Sequence, residues 1–146
     1  MRKYPVYSGL FVLLIATLLL GFPARNKARE NLASCKERVI SLDEFQKLRQ
    51  EKGSELVVVD ARTQDGFKLG HIPGALNVPA DKIKQPAFRS LLPKDQKTLI
   101  VFYCAGPQCS AACKAAIQAK GLGYEEFRIY EGGYPEWSQK GLPIER

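Results

Sequence analysis

Two short runs, residues 56–59 (Leu-Val-Val-Val) and 98–103 (Thr-Leu-Ile-Val-Phe-Tyr), limit what this chain can fold into. Neither shows the alternation of polar and apolar positions expected of a strand with one wet face, and they stop at Asp60 and Cys104. Strands of this kind are buried on both faces, which is the environment of a parallel sheet covered by helices. Residues 75–78 and 127–130 are predicted as two more short strands. Ser41-Leu42-Asp43-Glu44 reads as a capping box opening a helix, with Leu42, Phe45 and Leu48 on one face and Gly53 as its stop. Residues 109–120 form an Ala-rich helix closed by Gly121 and Gly123. Strands alternating with helices predict an open α/β sheet, and in such sheets chemistry gathers beyond the carboxyl ends of the strands. Three sequence signals fall there: Asp60-Ala61-Arg62, residues 70–79, and the loop from Cys104 to Cys109.

A length of 146 residues suits one cored domain. The expected division is a hydrophobic signal or anchor segment at 1–23, a linker at 24–37 and the folded domain at 38–146. Residues 6–22 are 17 consecutive uncharged, mostly apolar positions, preceded by Arg2 and Lys3 and followed by Arg25, Lys27 and Arg29. As a helix they would span ~25 Å, the short end of a membrane crossing, and 10–20 also fits a signal-peptide core. Small residues are not placed for cleavage, because Phe22 stands two before Ala24 and Asn26 two before Ala28. The reading leans to an uncleaved anchor over a cleaved signal peptide, and either way the domain is expected at the cell envelope, membrane-anchored or exported, with the periplasmic side favoured.

The formal charge is +7, but residues 1–30 hold five basic residues against Glu30, a net +4, which leaves only +3 on the remainder. With no basic run interleaved with aromatics, a nucleic-acid partner is not expected. Cys35 ends a Leu-Ala-Ser-Cys stretch resembling a lipoprotein box, yet charged residues separate it from the apolar core, so it reads as a linker residue. The crowding of the other cysteines at 104, 109 and 113 does not suggest a disulfide framework.

Cys104 carries the expected chemistry. It ends a buried strand, and the turn Ala105-Gly106-Pro107-Gln108 leads through Cys109 and Ser110 into a helix. Free amides and the helix dipole favour an anion there, which predicts a lowered thiol pKa and a nucleophilic thiolate. Gly106 permits a tight turn around the sulfur and Pro107 stiffens it. The plainer alternative is a buried structural cysteine. Cys109 can be read as a thiol resolving Cys104, as a sulfur relay, or as a small packing residue; Cys113, one turn on, reads as core filling beside Ala112 and Ala116. No metal is expected, since no histidine completes a tetrahedron. Asp60 and Arg62 read as a structural ion pair or turn cap, with an anion-facing charge as the functional alternative. His71, the only histidine, reads mainly as architectural, and Trp137 with Tyr134 as packing.

Taken together, Val57-Val58-Val59-Asp60-Ala61-Arg62, Gly70-His71-Ile72-Pro73-Gly74-Ala75-Leu76-Asn77-Val78-Pro79, Tyr103-Cys104 with Ser110 six residues on, Gly132-Gly133-Tyr134-Pro135-Glu136-Trp137 and Gly141-Leu142-Pro143 resemble the rhodanese family, in the family's order, over roughly residues 38–145. The resemblance implies an open, mostly parallel sheet of about five strands with helices on both faces. It also implies a sulfurtransferase in which Cys104 takes a sulfane sulfur, becomes a persulfide and passes it to a thiol or to cyanide, with residues 105–110 as the surrounding loop and no cofactor. The expected partners are a small sulfur donor (thiosulfate, polysulfide or a protein persulfide), a thiol acceptor, and the membrane through the N-terminal segment. Ala105 and Cys109 stand where the family's loop carries arginines, which points away from thiosulfate and toward a less charged donor. The related Cys-based phosphatases and arsenate reductases end their loop in Arg, and none occurs between Phe102 and Lys120. The remaining alternative is a non-catalytic or redox-sensing module using the Cys104/Cys109 pair.

Overall fold

A computed structural model describes residues 22–146, so the apolar segment and its reading as an anchor lie, Phe22 aside, outside the described residues. Among the described residues no helix is long and apolar enough to cross a membrane. The described residues divide between Ala33 and Ser34 into two units. In the first, the described residues belong to helix α1, Phe22–Lys36, whose last turn reaches into the second unit. The stretch 24–37, read as a linker, is mostly helical. It is rich in helix formers (Ala24, Arg25, Lys27, Ala28, Glu30, Leu32, Ala33), and Pro23 sits in the first turn, where a missing N–H costs nothing.

Residues 34–146 build a five-stranded sheet in the order β1-β5-β4-β2-β3. The strands are β1 (Val39–Ile40), β2 (Val57–Asp60), β3 (Leu76–Asn77), β4 (Ile100–Tyr103) and β5 (Phe127–Tyr130), and every pairing is parallel. Strand β1 escapes sequence reading because a two-residue strand carries no periodicity. The helices after α1 are α2 (Leu42–Lys52), α3 (Gln64–Leu69), α4 (Pro86–Arg89), α5 (Ala111–Lys120) and α6 (Gly133–Gln139).

Burial on both faces follows from the apolar runs. In β4 and its continuation, Ile100, Phe102 and Cys104 enter one core with Ala112, Ala115, Ala116 and Ala119 of α5. Val101 and Tyr103 enter the other, with Phe45 of α2 and Trp137 of α6. Alternate side chains point to opposite faces, so a strand between two helical layers must be apolar at every position. Helix α2 begins with the expected capping box: the Ser41 hydroxyl accepts the Glu44 N–H, and Glu44 accepts the Ser41 N–H at 2.8 Å. It ends at Gly53, whose φ of 51° suits glycine. Phe45, fully buried, stacks on Tyr130 at 5.0 Å.

Cys35 and Cys113 form a disulfide, with Cα atoms 5.8 Å apart. This corrects the reading of Cys35 as a linker residue and of Cys113 as core filling. The bridge spans 78 positions, a separation that local sequence reading does not connect, and it pins the last turn of α1 to α5. Closing so long a loop restricts the unfolded chain by about 4 kcal/mol in the chain-entropy model. The double variant Cys35→Ser/Cys113→Ser is accordingly expected to lose about 2–4 kcal/mol of unfolding free energy. Urea unfolding followed by Trp137 fluorescence checks this through a lower midpoint; an unchanged midpoint would show that the bridge adds nothing.

Candidate active site

The parallel register aligns the strand ends. Asp60 ends β2 opposite Tyr103 of β4 and Asn77 of β3, and the Ala61 N–H donates to the Tyr103 carbonyl at 2.9 Å. Cys104 therefore emerges beside Ala61 and Arg62, at the carboxyl edge where the chain order predicts a site.

From Cys104 the chain turns through Gly106, whose φ of 106° lies where side chains are disfavoured, and Cys109 N–H closes the turn onto the Gly106 carbonyl at 2.9 Å. Helix α5 starts at Ala111, two residues later than the expected 109. A second support comes from the start of α6. Tyr134 N–H donates to the Cys104 carbonyl at 3.0 Å, and Gly133 (φ 62°) lies so close that a Cβ there would overlap that carbonyl and stand 2.7 Å from the Gly106 nitrogen. Gly133 is thus required by backbone approach as well as by its φ, whereas a Cβ at Gly132 would meet only the Glu136 side chain.

Asp60 is fully buried and takes the Arg62 guanidinium side-on, through Nε at 3.0 Å and Nη2 at 2.6 Å, and accepts the Arg62 N–H at 2.9 Å. Arg62 also donates to the Gly70 carbonyl at 2.7 Å and lies 4.3 Å from the Tyr134 ring centroid. Burial opposes charge on Arg62, but Asp60 outweighs it and the guanidinium is held more firmly protonated than usual. The pair is a strap joining β2, the 70–79 segment and α6. Asn77, not singled out from sequence, adds to it by donating to the Asp60 and Arg62 carbonyls at 3.2 and 3.1 Å. His71 sits apart, stacked on Phe67 at 3.6 Å with its backbone paired to Glu145. Trp137 donates to the Pro143 carbonyl at 2.7 Å.

The two loop thiols are free and differ sharply. Cys104 is 3% exposed, and its thiol donates to the Cys109 carbonyl at 3.2 Å. Burial pushes it up to about 11, and the Cys109 thiol adds to the rise, against the pull of the Ala112 and Ala105 amides. This corrects the expectation of a lowered pKa at Cys104. The amides foreseen from the helix start do reach the sulfur, but the core around it outweighs them.

Cys109 is the acidic thiol. Its partial burial works against charge, but the Cys104 side chain, the Ala105 and Ala111 amides and the Lys114 ammonium together hold it below the ordinary thiol value. It also lines a groove of about 760 Å³ with Ala61, Pro79, Ala80, Ala105 and Lys114, whereas Cys104 is not among the lining residues. Gln118 of α5, which also lines the groove, donates to the Ala80 carbonyl at 2.6 Å. Ala105, Pro107, Gln108 and Ser110 are exposed, Gly106 is buried, and Ser110 caps α5 without a side-chain hydrogen bond. Lys114 was missed from sequence, although a lysine in a first helical turn that carries no acid is an unusual choice that signals it. Among the described residues no cluster of three metal-ligating side chains occurs.

In native protein, iodoacetamide should alkylate Cys109 with a pH midpoint below 9.0 and leave Cys104 nearly untouched until the pH approaches about 11. Mass mapping across a pH series checks this, and preferential Cys104 labelling near neutrality would contradict it. Gly133→Ala should cost about 1–3 kcal/mol and expose Cys104 by displacing the loop; thermal unfolding and the same alkylation assay read both effects.

Comparison with known proteins gives a match to the Rhodanese-like domain family over residues 41–140. The chain is 30% identical over 145 residues to the uncharacterized protein YibN of Escherichia coli K12, covering 99% of this chain and 92% of that one. It is 32% identical to the human thiosulfate:glutathione sulfurtransferase, covering 69% of this chain and 93% of the relative. It is also 34% identical over 98 residues to the HTH-type transcriptional regulator Rv0324 of Mycobacterium tuberculosis, covering 67% of this chain but only 41% of that protein's length. Among solved structures, the BH2092 protein of Bacillus halodurans superposes with a TM-score of 0.66 at 25% identity, over 83% of this chain and 85% of that one.

Proposed function

Given that the chain belongs to the rhodanese-like domain family, we propose that it is a sulfurtransferase in which Cys104 carries a sulfane sulfur as a persulfide and delivers it to a thiol acceptor. The observation that carries this reading is the Cys104 sulfur at the carboxyl edge of the sheet, receiving the Ala112 and Ala105 amides. A persulfide is a stronger acid than its parent thiol. Adding a sulfur to Cys104 also extends the reactive atom beyond the buried Sγ, so the amides act on an anion that forms far more readily there than a Cys104 thiolate does. Asp60 and Arg62 hold the strand ends in register around the loop; in this reading they position it and do not react. The human relative is by name a thiosulfate:glutathione sulfurtransferase. The absence of loop arginines favours a polysulfide or protein persulfide over thiosulfate as the donor here.

The Cys35–Cys113 disulfide supports placing the protein in an oxidising compartment, because such bridges persist outside the reducing cytoplasm. That agrees with an export or anchor role for residues 6–22 and with an envelope location, membrane-anchored or exported with the periplasmic side favoured.

Transfer from inorganic polysulfide to glutathione should fall about 100-fold or more in Cys104→Ser, the loss expected on removing a covalent carrier, with an unfolding midpoint near that of the wild type. Transfer retained in a folded Cys104→Ser protein would overturn the proposal. If the loop is a redox sensor instead, the treated wild-type protein becomes lighter by two hydrogens, through a Cys104–Cys109 disulfide, rather than heavier by one sulfur.

A further inference from the structure

We infer that Cys109 is the loading thiol of this site: it takes the sulfane sulfur from a polysulfide in the groove and hands it to Cys104. This rests on the sulfur-carrying role proposed for Cys104 and adds the step by which the sulfur arrives there. Cys104 is walled off from solvent and does not line the groove, whereas Cys109 lines it and is half-buried. An incoming donor therefore meets Cys109 first. The groove fits a short polysulfide. Its Ala61, Pro79, Ala80, Ala105 and Ala111 side chains are small and apolar; of the two cations in the lining, Arg62 is already held by Asp60, which leaves Lys114, exposed and acting on the Cys109 thiol, to face an anion, with Asp81 as the one acid. A soft, weakly hydrated sulfur chain, whose charges sit apart at its two ends, suits such walls better than a compact dianion, which would call for several donors converging on one point. The thiolate fraction of Cys109, raised by the Ala105 and Ala111 amides and by Lys114, agrees with this order of events.

The sulfur moves in two displacements. In the first, the Cys109 thiolate attacks a sulfane sulfur of the donor: a bond from Cys109 Sγ to that sulfur forms, the donor's S–S bond breaks, and the shortened polysulfide leaves with the electron pair. In the second, Cys104 attacks the outer sulfur of the protonated Cys109 persulfide. A Cys104 Sγ–S bond forms, the Cys109 S–S bond breaks, and Cys109 departs with the electron pair and takes the Cys104 proton. The Cys104 persulfide then ionises against the Ala112 and Ala105 amides. The transferred atom stays a sulfane sulfur throughout, so neither step consumes an oxidant or a reductant. Transfer onward from Cys104 is the reaction already proposed, and burial of its inner sulfur leaves the outer one as the atom within an acceptor's reach.

The test is single-turnover loading with sodium tetrasulfide, followed by intact mass, on wild type, Cys104→Ser, Cys109→Ser and Lys114→Gln, each with its melting temperature measured. Cys104→Ser is expected to gain one sulfur that stays on Cys109. Cys109→Ser is expected to load Cys104 at least about tenfold more slowly, since the more ionised thiol is gone. Lys114→Gln should slow loading roughly threefold, the scale of one exposed charge. If Cys104→Ser gains no sulfur while Cys109→Ser loads at the wild-type rate, the relay is overturned and the Cys104 persulfide stands. If no form, wild type included, gains sulfur, the sulfurtransferase reading fails and the relay fails with it. A wild-type product lighter by two hydrogens, with release of sulfide, would also overturn the relay, because the sulfur would then be lost rather than passed on.

Discussion

The shape of the site depends on a backbone contact: the Cys104 carbonyl, at the end of β4, receives the Tyr134 N–H at 3.0 Å while Gly133 lies flat against the turn. Carbonyls at the end of a central strand have no further strand partner, and one buried without a donor would cost about 1–3 kcal/mol. The first turn of α6 provides that donor, which ties the direction of the Cys104–Cys109 loop to a helix packed on the opposite core from α5. Tyr134 then stacks on Arg62, Arg62 closes on Asp60, and Asp60 ends the neighbouring strand β2. The loop is set by three segments far apart in sequence, so its conformation belongs to the fold rather than to the six residues themselves.

Within that frame, two chemically identical thiols acquire opposite character. They share the loop and the Ala105 amide, which acts on both. What separates them is solvent: the core beneath Cys104 penalises its anion more than two amides can repay, whereas Cys109 keeps contact with water and lies beside Lys114. In this site the distribution of water decides which sulfur is charged, and the amide donors modulate the outcome.

How much of this was legible beforehand differs by feature, for physical reasons. The unbroken apolar runs disclosed the central strands because a strand covered on both sides has no polar position to spare, and the Ser41–Glu44 box disclosed α2 because capping is local. The place of Cys104 at the sheet edge followed from the same logic. Its acidity did not, because the pattern that shows a helix start near the sulfur does not show the depth of the core under it. The partnership of Cys35 with Cys113 was hidden by distance along the chain, and α1 by charges that read as flanking a membrane segment. Lys114 left a local cue, a lysine in a first helical turn that carries no acid, whereas Asn77 acts through tertiary neighbours. For Asn77 no sequence cue was available.

The disulfide has one more consequence. With Cys35 joined to Cys113, the backbone between them closes into a covalent ring that contains β1 through β4 and the whole Cys104–Cys109 loop. A protease that nicks an exposed turn inside that ring, such as the stretch around Lys94–Lys97, opens the circle but separates nothing: both pieces remain one molecule until a reductant arrives. The active loop thus lies within a stretch of chain that tolerates a cut, while the segments outside the ring, at either end, have no such protection.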